Sequence, residues 1–344
     1  MAQRKVALLV LGAGAWGTAI GSRLATLSGA NVRLWSRSEK LAKLINESRV
    51  NQDYLPEIPL SENLTASSNL NGLIGWLKNE PEDTIKCLLL ATPSKGFAQI
   101  CSKLQQFNLQ NLIFVSLCKG VVCFEDKNYF PSEIIKQYFP KNDVSILSGP
   151  SFANEVARGL PFAISCSSDD LNLARKLSMA FNSEGMRVYA ISDNIGVEVS
   201  GAMKNVLAIA SGVCDGLSLG LNARASLITR GMAETVRLGV ALGAEKDTFL
   251  GLAGAGDLFL TTTGELSRNR KVGKEIASGG KLKEILSNLG QVAEGVSNAP
   301  KLLSLGRTLN VSLPITREVC LLLDEKKDAR EALNSLLKRE PSDE

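Results

Sequence analysis

Glycines 12, 14 and 17, in the run Gly12-Ala13-Gly14-Ala15-Trp16-Gly17, have the spacing of a backbone cradle for a pyrophosphate. The first glycine makes a tight turn, the second lets a phosphate approach the main chain, and the third lets the following helix pack closely on the preceding strand. Gly14 and the amides after it would open that helix, where unpaired N–H groups and the macrodipole favour an anion. A glycine-rich turn that binds nothing has the same spacing, so the flanking sequence decides. Directly before it, Val6-Ala7-Leu8-Leu9-Val10-Leu11 reads as a strand buried on both faces, which is the context a dinucleotide site requires.

A second set of candidates is defined partly by what the chain lacks. There is no histidine among the 344 residues, which removes Ser-His-Asp and Cys-His catalysis, His-ligated zinc and an imidazole acid or base. Proton transfer then falls to Lys, Asp, Glu, Tyr, Cys or water. Lys204, in Gly201-Ala202-Met203-Lys204-Asn205-Val206, lies among small apolar residues on a helical pattern. Two readings stand open for it: a desolvated acid/base, or a lysine with its stem on the core and its charge in water. Gly251-Leu252-Ala253-Gly254-Ala255-Gly256-Asp257 has too many glycines for a helix interior and reads as a loop of close backbone approach ending in one acid. Ser267-Arg268-Asn269-Arg270-Lys271 offers a phosphate an arginine fork and an amide, or is a solvated basic cluster. A hydride carrier in the first half, with Lys, Asp, Arg and Asn in the second, suits a phosphorylated substrate.

These groups need a scaffold, and the hydropathy pattern supplies one. After the first helix, Asn31-Val32-Arg33-Leu34-Trp35 reads as a second strand, followed by Ser36-Arg37-Ser38. An acid at this place would grip the ribose 2′-hydroxyl of NAD, whereas an arginine accommodates the 2′-phosphate of NADP. Arg37 therefore favours NADP(H), with NAD(H) as the other option, the alternative for Arg37 itself being a solvated surface residue. Further strands are expected at 87–91, 112–115, 144–147, 162–164 and 187–189. Their alternation with helical sequence predicts an α/β, doubly wound parallel sheet of the Rossmann kind. Ligands of such sheets lie beyond the carboxyl ends of the strands, which draws attention to Thr92-Pro93-Ser94, Cys118-Lys119-Gly120 and Ser148-Gly149-Pro150-Ser151. Residues 69–83, with Gly72, Gly75 and Pro81, read as a surface excursion. From about Asp193 the apolar residues recur at helical spacing, so the expected organisation is a dinucleotide-binding domain at 1–192, an all-helical substrate domain at 193–338 and a frayed tail at 339–344.

The totals restrict the partners. A net charge of +4, from 39 basic and 35 acidic residues without long runs of one sign, fits anionic small molecules and gives no support to nucleic acid. The seven cysteines are scattered, with no C-x-x-C pair, and no metal site is expected. Neither a secretory signal nor an apolar run long enough to span a bilayer is evident, so the expected setting is a reducing cytoplasm without membrane insertion.

Taken together, the motifs resemble the NAD(P)-dependent sn-glycerol-3-phosphate dehydrogenases of the bacterial type. The match runs along nearly the whole chain: Gly12 to Thr18, Tyr54-Leu55-Pro56, Lys119-Gly120, Gly149-Pro150-Ser151-Phe152-Ala153, Gly201 to Asn205, Thr229-Arg230-Gly231, Gly254 to Leu258, Ser267-Arg268-Asn269 and Glu294-Gly295. The resemblance implies cofactor contacts from Ala15, Trp16, Arg37, Lys119, Ala153, Arg268, Val292 and Glu294. It implies that Lys119, Gly149, Ser151, Lys204, Asp257, Ser267, Arg268 and Asn269 surround the substrate, with Lys204 as proton acceptor. The implied reaction is reversible hydride transfer between NAD(P)H and dihydroxyacetone phosphate, giving sn-glycerol 3-phosphate for glycerophospholipid synthesis, and the implied assembly is a homodimer. Ala15 and Ser226 depart from the residues frequent at their positions, serine and alanine, without touching the assignment. The alternatives are a 3-hydroxyacid or 6-phosphogluconate type of dehydrogenase, which needs carboxylate recognition, and a non-catalytic NADP-binding regulator.

Overall fold

The computed structural model describes residues 5–340, which fall into two compact units. The first is made by residues up to 118 together with 129–194, the second by 119–128 together with 195 onward. Of the expected tail, 341–344 lie outside the described residues, and Arg339 and Glu340 are exposed, in neither helix nor strand.

In chain order the strands are β1 (Val6–Leu11), β2 (Ala30–Trp35), β3 (Leu64–Ser67), β4 (Ile85–Leu90), β5 (Ile113–Ser116), β6 (Val122–Phe124), β7 (Lys127–Tyr129), β8 (Val144–Ser148), β9 (Phe162–Ser167) and β10 (Met186–Ile191). Eight of them form one sheet in the order β10-β9-β8-β5-β4-β1-β2-β3. Its neighbours are parallel except β8 and β9, which run antiparallel, so the fully parallel sheet read from the sequence is corrected at that pair. All six residues of β1 are buried, which is why its sequence does not alternate. Leu11 pairs with both Trp35 and Leu90, so β1, β2 and β4 end level and their following turns share one edge.

The helices of the first unit are α1 (Ala15–Leu24), α2 (Glu39–Ser48), α3 (Leu70–Asn79), α4 (Ser94–Leu104), α5 (Pro131–Tyr138), α6 (Ala153–Ala157) and α7 (Leu171–Phe181). Helix α3 corrects the surface excursion expected at 69–83. Leu70, Leu73, Ile74 and Leu77 are buried, and the Asn69 side chain caps the helix by accepting from the Gly72 N–H at 2.9 Å. The apolar spacing of i, i+3, i+4 and i+7 outweighs two glycines, which cost about 1 kcal/mol each in a helix.

The second unit holds α8 (Asn194–Gly216) from its second residue onward, α9 (Gly220–Ala241), α10 (Asp257–Thr263), α11 (Arg268–Ala277), α12 (Leu282–Leu289), α13 (Glu294–Thr308), α14 (Pro314–Leu323) and α15 (Ala329–Leu337). Helix α8 is long and apolar enough to cross a membrane, contrary to the sequence reading, and that stretch of it is buried inside the protein as the core of the unit. The glycine-rich loop expected at 251–257 is instead a π-helical turn, Leu252–Gly256, that feeds α10. A side chain at Gly254 would collide with the Phe249 carbonyl, so this glycine allows a close backbone approach. Residues 119–128 also depart from a continuous 1–192 domain. Side chains of the helical unit hold them, as Val121 shows: its N–H donates to Asn298 Oδ1 at 3.1 Å and its carbonyl accepts from Lys301 Nζ at 2.6 Å.

Candidate active site

In the first unit, the backbone of the glycine turn excludes a side chain at two of its three glycines. Gly12 has φ +127°, and a Cβ there would lie 2.8 Å from the Ala91 carbonyl oxygen; one at Gly17 would collide with the Gly12 carbonyl. At Gly14, which caps the N-terminus of α1, a Cβ would meet nothing within 4 Å, so this is the open approach to the helix N-terminus. Asn51, which the sequence reading missed, braces the turn: its buried Nδ2 donates to the Ala13 carbonyl at 3.0 Å and to Thr18 Oγ1 at 2.8 Å. No local spacing announces a brace that arrives 38 residues away.

The other first-unit candidates gather at the same edge. Ala15 and Trp16 open α1, and Ala153 opens α6, whose Val156 packs with Ala19 of α1. Arg37 is exposed just beyond β2, beside the helix cap Ser38. Gly149, with φ +144°, and Ser151, which donates to the Gly149 carbonyl at 2.8 Å, follow β8. Two buried hydroxyl oxygens, Thr92 Oγ1 after β4 and Ser148 Oγ at the end of β8, have no hydrogen-bond partner among the described residues. An open helix N-terminus and unpartnered hydroxyls at this edge of the sheet are groups that a dinucleotide's phosphates and ribose could satisfy.

In the second unit the candidates converge on Asp257, the first residue of α10, which is 1% exposed. Lys204 Nζ donates to Asp257 Oδ1 at 2.8 Å and to Thr261 Oγ1 at 2.9 Å, while Lys119 Nζ donates to Asp257 Oδ2 at 2.7 Å. Burial pushes the Lys204 ammonium down to about 8, helped by the positive charges of Lys119 and Arg268 and opposed by Asp257. Burial alone would raise the Asp257 carboxyl, but the two lysines outweigh it and hold Asp257 below its ordinary value, ionised. Of the two readings left open for Lys204, the snorkelling one is excluded: the side chain is buried, and its charge meets a carboxylate instead of water.

Around this cluster, Ser267 caps α11 by accepting from the Arg270 N–H, and Asn269 donates to Asn205 Oδ1 at 2.9 Å and accepts from the Gly295 N–H at 3.0 Å. Glu294 opens α13 beside that contact. Arg268 is exposed and donates to Gln291 Oε1 at 2.9 Å. Val292 is also exposed, in the short connection before α13, and is not drawn into the ammonium cluster. Sequence reasoning missed Thr261, Asn205 and Asn298. Thr261 alone had a local signal, because it lies one helical turn after Asp257.

A glycine turn on a doubly wound sheet, and a buried lysine paired with a carboxylate, are the features of a dinucleotide-dependent oxidoreductase. The family profiles described as the N-terminus and the C-terminus of NAD-dependent glycerol-3-phosphate dehydrogenase match residues 5–174 and 193–334. The glycerol-3-phosphate dehydrogenase (NAD(P)+) of Cupriavidus pinatubonensis is 43% identical over 344 residues, covering 98% of this chain and 97% of its own. That of Thiobacillus denitrificans is 44% identical over 336 residues, with 97% and 98% covered. The crystal structure of the glycerol-3-phosphate dehydrogenase of Coxiella burnetii superposes with a TM-score of 0.89 at 35% identity, over 97% of this chain and 99% of that one. The chain belongs to the NAD-dependent glycerol-3-phosphate dehydrogenase family.

Proposed function

We propose that in the family's reaction, reversible hydride exchange between NAD(P)H and dihydroxyacetone phosphate to give sn-glycerol 3-phosphate, Lys204 is the acid and base for the C2 oxygen. The observation that carries this is the buried Lys204 ammonium, held by Asp257 and Thr261 through two of its three N–H groups, which leaves one for substrate. Hydride reaching the carbonyl carbon leaves an alkoxide, and Lys204 supplies its proton; in the reverse direction the neutral amine takes it back. Lys119 and Asp257 set the charge and direction of that amine. Ser267, Arg268 and Asn269 hold the phosphate, with Gly149 and Ser151 contributing to substrate binding.

The cofactor, when bound, supplies the hydride at its nicotinamide ring. Gly12, Gly14 and Gly17 with Ala15 and Trp16 would hold its pyrophosphate, Arg37 the 2′-phosphate of NADP(H), and Lys119, Ala153, Arg268, Val292 and Glu294 its remaining parts. That none of the seven cysteines is in a disulfide is consistent with a reducing cytoplasm, and a homodimer is the assembly that the resemblance implies.

Lys204→Ala tests the central assignment. It should lower kcat by about 10²- to 10⁴-fold while NADPH binding, read by fluorescence titration, is retained. A kcat within a few-fold of the parent, or a loss confined to KM, would make Lys204 a substrate-positioning cation instead.

A further inference from the structure

Lys119 reaches Asp257 from a segment with little regular structure. Only the short hairpin of β6 and β7 follows, with Glu125 and Asp126 in the left-handed region at its turn. What holds residues 119–121 is a set of side chains. The Lys119 carbonyl accepts from Asn205 Nδ2 at 3.0 Å and from Asn298 Nδ2 at 3.2 Å, and the Val121 N–H donates to Asn298 Oδ1 at 3.1 Å. Both asparagines are buried, Asn298 completely.

The direction of every amide in this group is forced. Main-chain N–H groups only donate, so Asn269 Oδ1 must face Gly295 N and Asn298 Oδ1 must face Val121 N. Asn269 Nδ2 is then left to donate to Asn205 Oδ1, and Asn205 Nδ2 to the carbonyls of Lys119 and Gly201. The result is a one-way relay from the α13 N-terminus through α11 and α8 to the Lys119 carbonyl, with Asn298 closing on that carbonyl from α13. Neither Asn205 nor Asn298 can turn over without opposing two donors or two acceptors in a buried space, which costs more than the bonds are worth net.

We propose that Asn298, together with Asn205, is a positioning residue for Lys119: the two amides fix its carbonyl, and so its ammonium meets Asp257 Oδ2. The proposal rests on the reading of Lys204 as acid/base. It adds that a residue well removed from Lys204 in the chain, and not itself a substrate contact, tunes that base through Lys119. The groups facing the Lys204 ammonium are Asp257 and Thr261 from α10, Lys119 from its segment and Arg268 from α11. A loosened Lys119 withdraws a positive charge and leaves Asp257 less neutralised, and both changes hold the proton on Lys204 more tightly.

The test is a double-mutant cycle of Asn298→Ala and Lys119→Ala, with kcat/KM for glycerol 3-phosphate oxidation measured across pH and folding checked by circular dichroism. Asn298→Ala should lower kcat/KM by about 10- to 100-fold, the cost of misplacing a group by about an ångström. Its rising pH limb should move above the parent's, and the double variant should be no worse than Lys119→Ala alone. Additive losses, or an unmoved limb with kcat/KM within twofold of the parent, overturn the proposal. If the alanine variant does not fold, Asn298→Ser enters the same cycle with a smaller cavity. Failure of the underlying reading looks different: Lys204→Ala would keep its kcat while Asn298 and Lys119 still proved coupled.

Discussion

Helix α8 carries two ion clusters of the same design and different chemistry. In each, an aspartate lies between two cations: Asp257 between Lys119 and Lys204, at 2.7 and 2.8 Å, and Asp215 between Arg270 and Arg224, at 2.7 and 3.0 Å. Lys204 and Asp215 are about three turns apart on α8, hence on one face of it. The first cluster joins α8 to α10; the second joins it to α9 and α11, with Arg270 also gripping Glu265 at 2.8 Å. The difference lies in the cation. A desolvated lysine can release its proton near neutral pH, whereas a guanidinium keeps its charge and uses its fork to bridge two carboxylates at once. Burial is also unequal, since the Asp257 side chain is 2% exposed and that of Asp215 16%. The first cluster is therefore suited to chemistry and the second to holding α11, whose first turn presents Arg268 and Asn269.

The largest effect is expected from giving the first cluster the cation of the second. Lys204→Arg keeps the charge against Asp257 but cannot give up its proton, so it should lose about as much kcat as the alanine variant, 10²- to 10⁴-fold. Recovery of kcat by arginine would show that charge alone suffices and remove the distinction between the clusters.

Asp257→Asn comes next. Removing the carboxylate leaves two lysines facing each other in a buried space, and breaking a buried pair in this way costs about 3–5 kcal/mol, to be read from urea unfolding. The same variant should move the pH profile in a stated direction. On the proposed reading Lys204, at about 8, is the base in glycerol 3-phosphate oxidation, so kcat/KM of the parent should rise with pH through about 8, and the reduction should fall over the same range. Asp257 holds the Lys204 proton on, so its loss should shift the limb to lower pH, opposite to the shift expected from Asn298→Ala.

Arg270→Lys sharpens the contrast from the other side. The lysine is shorter and loses the planar fork that reaches Asp215 and Glu265 together, so the urea midpoint should fall. Any kinetic loss should appear in KM for dihydroxyacetone phosphate as the α11 N-terminus loosens, with the pH limb unmoved. A shifted limb would mean that the two clusters are electrostatically one.

The smallest change is expected at an exposed pair of similar appearance. Lys43 and Glu47 lie 3.7 Å apart on α2 with side chains 72% and 59% exposed, and Lys43→Ala should alter stability by no more than about 0.5 kcal/mol. A larger loss there would mean that burial does not rank these pairs.

Much of the first unit was legible because its signals are local. The apolar run of β1, the three glycine spacings and the start of α1 lie within about a dozen residues, and steric rules over that range leave little choice. Helix α3 has an equally local signal, and there the spacing of Leu70, Leu73, Ile74 and Leu77 prevails over the turn signals of Gly72, Gly75 and Pro81. The basic run at 267–271 was read as one unit, phosphate site or solvated surface, and the fold splits it: Arg268 and Lys271 are exposed, while Asn269 and Arg270 are buried.

By itself the sequence determined a doubly wound dinucleotide unit, excluded histidine chemistry, offered Arg37 to a 2′-phosphate and named Lys204, Lys119 and Asp257 as candidates. Only the tertiary structure decided that these three form one cluster, that Lys119 belongs with the helical unit, and that Asn205, Asn298 and Thr261 serve it. The reason is separation along the chain. Lys204 meets Asp257 across 53 residues and Lys119 meets it across 138, distances over which spacing carries no periodic signal. Burial then sets the electrostatics, since a lysine that keeps its ordinary affinity for a proton in water holds it less tightly when it is desolvated beside two other cations.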